Sequence, residues 1–201
     1  MTKGLLADVL LGALGQPVPA GSAAEAQLRP GPDTLVEFRQ RVDGYAALRQ
    51  EVTKTTPPMV PTTDVAHILS RRARLVQRLK SARGEARKGD IFAPGISAEF
   101  RRLLLLELTG PNGKEALVRM GEAAPAAFAL SVNASYPEGE PMGAMSPGVL
   151  RRLPPLPASL QYRFVGPHLV LLDVAANLIV DFITDAIWVD PSASSHLAPR
   201  P

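Results

Sequence analysis

In the first half of the chain, hydrophobic residues recur every three to four positions, which is the period of an α-helix with one buried side. This pattern predicts three helices before residue 111. The first helix is predicted from Thr34 with Glu37 to just before Pro57, the second from Thr63 with Asp64 to about Ala86, and the third from Ser97 to Gly110 with Pro111. Capping residues, glycines and prolines set these limits. A short fourth helix is predicted from Asn112 to about Met120. Four consecutive leucines, Leu103–Leu106, predict a third helix that is covered on most sides.

After Pro125 the hydrophobic period shortens to two residues, the period of a strand with one buried face. Residues 128–136 are predicted to form a half-buried strand. Three further strands are predicted at Leu160–Val165, Leu169–Val174 and Leu178–Ile183. The segments between them, Gly166 to His168 and Ala175 to Asn177, are short and rich in turn-forming residues. Such connections favour an antiparallel meander.

The register of this meander follows if each turn is a three-residue loop. Arg163 then lies opposite Leu171, and Leu171 opposite Asp181. The predicted apolar face holds Tyr162, Phe164, Val170, Leu172, Val174, Leu178, Val180 and Phe182. The opposite, mixed face holds Gln161, Arg163, Val165, Leu169, Leu171, Asp173, Ile179, Asp181 and Ile183. Because the apolar face must be covered, we expect the helices to pack on it.

These elements predict one α+β domain over residues 33–184, with amino-terminal helices packed on a carboxy-terminal antiparallel β-meander. Residues 24–32 are predicted to be a linker and residues 185–201 a flexible tail pinned at Trp188. Residues 1–23 resemble a signal peptide, with Lys3, an apolar stretch and small residues before a cleavage site after Ala20 or Ala23. Because Asp8 interrupts the apolar stretch, an amphipathic helix is the alternative interpretation.

Composition and motifs exclude several kinds of chemistry. The chain has no cysteine, which excludes disulfides, thiolate nucleophiles and cysteine metal sites. It has no run of eighteen apolar residues, so no internal membrane-spanning helix is expected. The three histidines, His67, His168 and His196, lack the spacing of metal ligands, and no nucleophile elbow or nucleotide-binding loop is present. We therefore expect no metal and no cofactor.

One pair of carboxylates is a candidate for chemistry. In the predicted register Asp173 and Asp181 are diagonal neighbours on the mixed face, with Arg163 one strand away. Two carboxylates at such a separation can act as acid and base around a water molecule, as in glycoside hydrolysis. The structural alternative, which we favour, is a cluster of ion pairs across the strands.

The second predicted helix is strongly basic. Residues 71–88 contain eight basic residues and one acidic residue, against a net charge of +3 for the whole chain. Arg71, Arg74, Arg78 and Lys88 are predicted on its outer side, and Val65, Ile68, Leu69, Val76, Leu79 and Ala86 on its apolar side. The outer arc is a candidate binding site for a polyanion, either nucleic acid or anionic lipid. A merely solvated face is the alternative, and the pattern does not favour nucleic acid. Arg72 and Arg83 fall in the apolar side and are expected to pair with Asp90 or Glu99.

The segment RRLPPLP, Arg151 to Pro157, has the spacing of a peptide that docks on an SH3 domain. Arg151, Pro154 and Pro157 would make that contact. Ordered elements are predicted within a few residues on either side, so we interpret the segment instead as a stiff connector. Leu153 and Leu156 are then expected to point into the core.

Four segments occur together in this chain: KGDIFAP, LSVNASYPEGEP, the helix FRQRVDGYAALR, and the meander with the proline-rich segment before it. In this combination the chain resembles a group of small bacterial proteins of unknown function that typically carry export signals. The resemblance covers roughly residues 34 to 184, and it implies a periplasmic or secreted location. It supplies no catalytic residues. We therefore expect an exported, non-enzymatic binding or structural module, with the hydrolase and the polyanion-binding helix as alternatives.

Overall fold

The computed structural model describes residues 32–54, 63–111, 113, 129–137, 143 and 145–187. Its elements are α1 (Pro32–Lys54), α2 (Val65–Ala82), α3 (Pro94–Leu108), α4 (Pro147–Arg152), β1 (Leu160–Val165), β2 (His168–Asp173) and β3 (Leu178–Ile183). Helices come first and a three-stranded antiparallel sheet follows, so the predicted α+β class is confirmed. None of the described helices is both long and apolar enough to cross a bilayer.

Capping residues set the starts of the helices. Asp64 caps α2 as predicted, because its carboxylate accepts hydrogen bonds from the N–H groups of Ala66 and His67. The starts predicted for α1 and α3 are late, since these helices begin at Pro32 and Pro94. A proline fits the first turn, where its fixed φ is helical and its missing N–H has no partner to lose.

Two other predicted helix features differ from the structure. The α2 helix ends at Ala82, so the predicted extension to Ala86 is wrong. The capping box predicted for α1 is also absent among the described bonds, because Glu37 lies inside the helix and pairs with Arg41 one turn later. The short helix predicted from Asn112 to Met120 lies, apart from Gly113, outside the described residues.

The sheet has the predicted meander order β1-β2-β3. Its first turn is shorter than predicted, since Val165 pairs with His168 and only two residues lie between them. Arg163 therefore faces Val170, and the predicted β1–β2 register is wrong by one residue. The β2–β3 register is right where Leu171 faces Asp181, but it shifts at an irregularity between Leu171 and Leu172.

This one-residue shift changes which side chains share a face, because strand side chains alternate. Tyr162 and Phe164 lie on the helix side as predicted, but Leu169 and Leu171 join them in place of Val170 and Leu172. The buried helix-side residues of the sheet are Leu160, Tyr162, Phe164, Leu169, Leu171, Leu178, Val180 and Ile183. The far side forms a second cluster of Tyr136, Val165, Val170, Leu172, Ile179 and Phe182.

The main core lies between the helices and the sheet, as predicted. Phe38 from α1 and Phe100 from α3 are fully buried, with ring centroids 4.8 Å apart. Tyr162 from β1 lies 5.9 Å from Phe100, which joins the helical layer to the sheet. Aromatic rings at these separations pack favourably and also remove a large apolar area from water.

The strand predicted at residues 128–136 is not formed in its described part, residues 129–136. That part makes one isolated bridge, between Ser135 and Leu178, and Asn133 has a φ of 62° that interrupts any strand. The segment still hydrogen-bonds to the edge of β3, where the N–H of Asn133 donates to the carbonyl of Ile179 and the N–H of Ile179 to that of Ala134. These bonds cover part of an edge that would otherwise be open.

The proline-rich segment before β1 belongs to the core. Leu153 and Pro154 are buried, and Leu156 packs against the main cluster. The hydroxyl of Tyr162 donates to the carbonyl of Pro154 at 3.0 Å. These contacts support a connector, because a docking peptide needs Pro154 on the surface, whereas Arg151 is exposed and Pro157 is half-buried.

The ordered chain also extends past the predicted domain end at residue 184. Ala186 and Ile187 are buried, and the N–H of Ile187 donates to the carbonyl of Pro167 at 3.1 Å. The boundary of the predicted tail is therefore wrong by at least three residues. Trp188 and the rest of that tail lie outside the described residues, as do residues 1–31 with the predicted signal peptide.

Two sets of predicted core residues are on the surface. Leu104 is buried, but Leu105 is 61% exposed and Leu106 is 46% exposed, so α3 is not covered on most sides. Successive helix residues point about 100° apart, and four consecutive leucines cannot all face one core. The other set is the beginning of the α2 apolar side, Val65, Ile68 and Leu69, whose members are exposed.

We predict that Phe100→Ala lowers the free energy of unfolding by about 3–5 kcal/mol, because it leaves a cavity at the centre of the main core. Urea unfolding followed by circular dichroism measures this change. Leu105→Ala on the same helix is the matched control and is expected to change the value by about 0.5 kcal/mol or less. Equal losses for the two variants would contradict the packing described here.

Candidate functional site

Both candidate aspartates lie on the helix side of the sheet, and both are fully buried. Asp181 is in β3, opposite Leu171, and Asp173 is the last residue of β2. The irregularity in β3 places Leu178 and Asp181 on the same side although they are three residues apart. The two aspartates therefore share a face, but it is the covered face and not the mixed face of the prediction.

Asp181 binds the connection between α2 and α3, residues 83–93. Its carboxylate accepts hydrogen bonds from the N–H groups of Gly89 at 3.0 Å, Ile91 at 2.9 Å and Phe92 at 2.8 Å. Gly89 has a φ of 93°, a conformation that other residues rarely adopt, and this turns the connection toward the carboxylate. Asp181 thus holds the start of α3 against the sheet.

Asp173 binds α1 in the same way. It accepts hydrogen bonds from the hydroxyl of Tyr45 at 2.8 Å and from Nε of Arg49 at 2.5 Å. Its second oxygen accepts a bond from the N–H of Ala176 in the β2–β3 turn at 3.0 Å. Burial raises the pKa of Tyr45 above its usual range, and the negative charge of Asp173 is the second largest cause of this shift. Tyr45 therefore stays protonated and acts as a donor.

Arg83 is the third buried polar residue near the aspartates. Its guanidinium donates to Oδ1 of Asn133 at 2.6 Å and to the carbonyl of Val180 at 2.9 Å, and it lies 5.1 Å above the ring of Tyr45. Burial lowers the pKa of Arg83, while the surrounding negative groups oppose that change. Its expected pairing with Asp90 or Glu99 is not what the hydrogen bonds show, and Glu99 pairs with Arg102 instead.

Arg163 does not join the aspartates. In the observed register it lies opposite Val170, on the far side of the sheet, where it donates to Gln161 and to the carbonyl of Tyr162. The sheet therefore separates it from both carboxylates. The predicted arrangement of Asp173, Asp181 and Arg163 is wrong because the first turn has two residues rather than three.

A cleft of about 570 Å³ lies between α1, the end of α2 and the α2–α3 connection. Its lining residues are Arg41, Gly44, Tyr45, Leu48, Ser81, Ala82, Arg83, Gly84, Glu85, Ala86, Asp90 and Ile91. Arg41 is held there by Glu37 at 2.7 Å and by the carbonyl of Asp90 at 2.5 Å. Neither Asp173 nor Asp181 lines this cleft, so it does not bring the two carboxylates to a substrate.

The predicted cationic arc on α2 is only partly correct. Arg74 and Arg78 are exposed and Arg71 is half-buried. Lys88 does not belong to the arc, because α2 ends at Ala82. Its ammonium group donates to the hydroxyl of Thr184 at 3.0 Å and lies 5.0 Å from the ring of Phe182.

The histidines are apart in the described chain. His67 is exposed on α2, and His168 at the start of β2 accepts a bond from the N–H of Asp185 at 3.0 Å. His196 lies outside the described residues. No group of three histidine or carboxylate side chains with the geometry of a metal site occurs among the residues that the structure describes.

Comparisons with protein-family models, with curated proteins and with solved structures give no match for this chain. The resemblance to exported bacterial proteins accordingly stays a prediction from the sequence.

We predict that Asp181→Asn lowers the free energy of unfolding by about 3 kcal/mol. The asparagine side chain has no negative charge, and its NH₂ group would face backbone N–H groups that need an acceptor. Chemical denaturation measures the loss. Asp185→Asn is the matched control, since the Asp185 side chain is 80% exposed and asparagine tolerates its φ of 48°. A change of similar size in both variants would show that Asp181 does not anchor the connection.

Proposed function

We propose that this chain is an exported, non-enzymatic binding or structural module of the bacterial cell envelope. The observation that carries the proposal is the use of the candidate catalytic groups inside the fold. Each oxygen of Asp173 and Asp181 accepts a hydrogen bond from α1, from the α2–α3 connection or from the sheet itself. Groups held in this way support the fold and are not available to a substrate.

The neighbouring polar groups support the same proposal. A general base must accept a proton near neutral pH, whereas the raised pKa of Tyr45 keeps its hydroxyl protonated. Arg83 donates to protein carbonyl oxygens on both of its terminal nitrogens. Three side chains that line the cleft, Arg41, Tyr45 and Arg83, therefore already serve the contacts between α1, the α2–α3 connection and the sheet.

The hydrolase alternative requires an open pocket that both carboxylates enter. In the structure the two residues are fully buried, and Arg163 lies across the sheet from them. A substrate would have to displace α1 and the α2–α3 connection to reach the carboxylates. This cost makes the binding or structural module the better supported proposal.

Export is supported by the sequence alone. Lys3, the apolar stretch from Leu5 to Leu14 and the small residues near Ala20 and Ala23 have the order of a signal peptide. The resemblance to exported bacterial proteins agrees with this order.

We predict that the chain with a carboxy-terminal tag, expressed in bacteria, is found outside the cytoplasm as a protein that begins at Gly21 or Ala24. Cell fractionation and intact-mass measurement test this. Leu10→Glu is the control, because a second carboxylate in the apolar stretch is expected to keep the protein uncleaved in the cytoplasm. Wild-type protein of full length that is confined to the cytoplasm would contradict export.

A further inference from the structure

The first two turns of α2 expose an apolar surface. Every residue from Val65 to Ser70 is exposed, with Val65 at 66% and both Ile68 and Leu69 at 49%. These three side chains are spaced at i, i+3 and i+4 and therefore lie on one side of the helix. We call Val65, Ile68 and Leu69 the α2 apolar patch.

The α2 apolar patch continues a stripe that is buried farther along the helix. Leu79 is fully buried, and its cluster is packed by Leu75 and Val76 of the same helix and by Leu48 and Val52 of α1. Ten residues of helix separate Val65 from Leu75, which is about 15 Å. The helix thus carries its apolar side beyond the core, where the described residues leave it in contact with solvent.

The charge of α2 indicates what covers this patch. The helix has five basic residues, Arg71, Arg72, Arg74, Arg78 and Lys80, and no acidic residue. An exposed apolar side together with a polar side whose charged residues are all basic is the pattern of a helix that lies in the interface of an anionic bilayer. In this arrangement the apolar side chains enter the acyl boundary and the cations meet lipid phosphates.

We propose that α2 binds the surface of an anionic lipid bilayer through the α2 apolar patch and the arginines of its polar side. The inference rests on the proposed binding module and names its partner. Charge argues against a second copy of the chain as the occupant, because two α2 helices packed together would bring ten positive charges close to one another.

Nucleic acid also fits the observations less well. A polyanion contacts the arginines but gives no reason for three exposed aliphatic side chains beside them. The α2 helix has no phenylalanine, tyrosine or tryptophan on which a base could stack. Of the three occupants compared, the bilayer is the one that uses both halves of the helix surface, the apolar one and the cationic one.

The test is sedimentation of the purified full chain with vesicles of phosphatidylcholine containing phosphatidylglycerol, compared with vesicles of phosphatidylcholine alone. We expect binding to the anionic vesicles that weakens as salt rises from low to physiological concentration. The double variant Ile68→Ser with Leu69→Ser is expected to partition about tenfold less, because it removes apolar area from the inserted side. Arg74→Gln with Arg78→Gln is expected to reduce partition by a similar factor on anionic vesicles only.

Leu105→Ser with Leu106→Ser is the matched control, because it removes two leucines of comparable exposure from α3. It is expected to bind as the wild type does. All these proteins begin at the same residue, so any contribution of the segment before α1 is the same in each. Circular dichroism verifies that each variant is folded, which the exposure of the changed residues favours.

Three results would overturn the proposal. One is equal partition of the wild type and the folded Ile68→Ser, Leu69→Ser variant. Another is equal binding to neutral and anionic vesicles. The third is tight binding of a DNA duplex that does not depend on Ile68 and Leu69, which would assign α2 to polyanions. Localisation is measured separately in cell fractions, so a failure of export and a failure of lipid binding are distinguishable.

Discussion

The packing of the helices on the sheet depends on one buried carboxylate, that of Asp181. A charge removed from water is stable only when donors replace its hydration, and here the N–H groups of Gly89, Ile91 and Phe92 replace it. These donors belong to the connection that leads into α3, so satisfying the charge also fixes where that helix begins. Phe92, Ile96 and Phe100 then enter the main core from a defined direction. Asp173 does the same for α1 through Tyr45 and Arg49.

This arrangement explains what the polar residues buried between the helices and the sheet do in the fold. Asp173 and Asp181, which the sequence offers as catalytic candidates, are the residues that connect the helical layer to the sheet. Their donors and acceptors are already in use, and the cleft beside them is bounded by the same contacts. Function is therefore better sought on surfaces whose side chains the fold leaves exposed. Among the described residues, the beginning of α2 is such a surface, because it exposes three large apolar side chains on a helix whose charged residues are all basic.

Much of the fold follows from the sequence because local patterns decide it. The three strands agree with their predicted positions to within one residue, and Asp64 marks the start of α2 correctly. The faces of the sheet were less predictable, because they depend on the length of a single turn. Val165 and His168 pair and leave two residues in the first turn, which moves Arg163 away from the aspartates. Nothing in a hydrophobic pattern distinguishes a two-residue turn from a three-residue one here.

The partners of the buried charges were also outside the reach of sequence patterns. Tyr45 and Asp173 are 128 positions apart, and Arg83 and Asn133 are 50 apart. The exposure of Val65, Ile68 and Leu69 was also not predictable from the pattern, because α2 keeps its helical hydrophobic period past the point where the core ends. The glycine in KGDIFAP is a sequence signal for the α2–α3 connection, because Gly89 has the positive φ that such a tight connection needs.

Through its hydrogen bonds, the Asp181 carboxylate makes the α2–α3 connection part of the same cooperative unit as the sheet. Native-state hydrogen exchange of the Ile91 and Phe92 amides tests it most directly, because both donate to that carboxylate. We expect these two amides to open with a free energy within about 1 kcal/mol of that of the interior amides of β2. Fast exchange of both amides while β2 stays protected would contradict it.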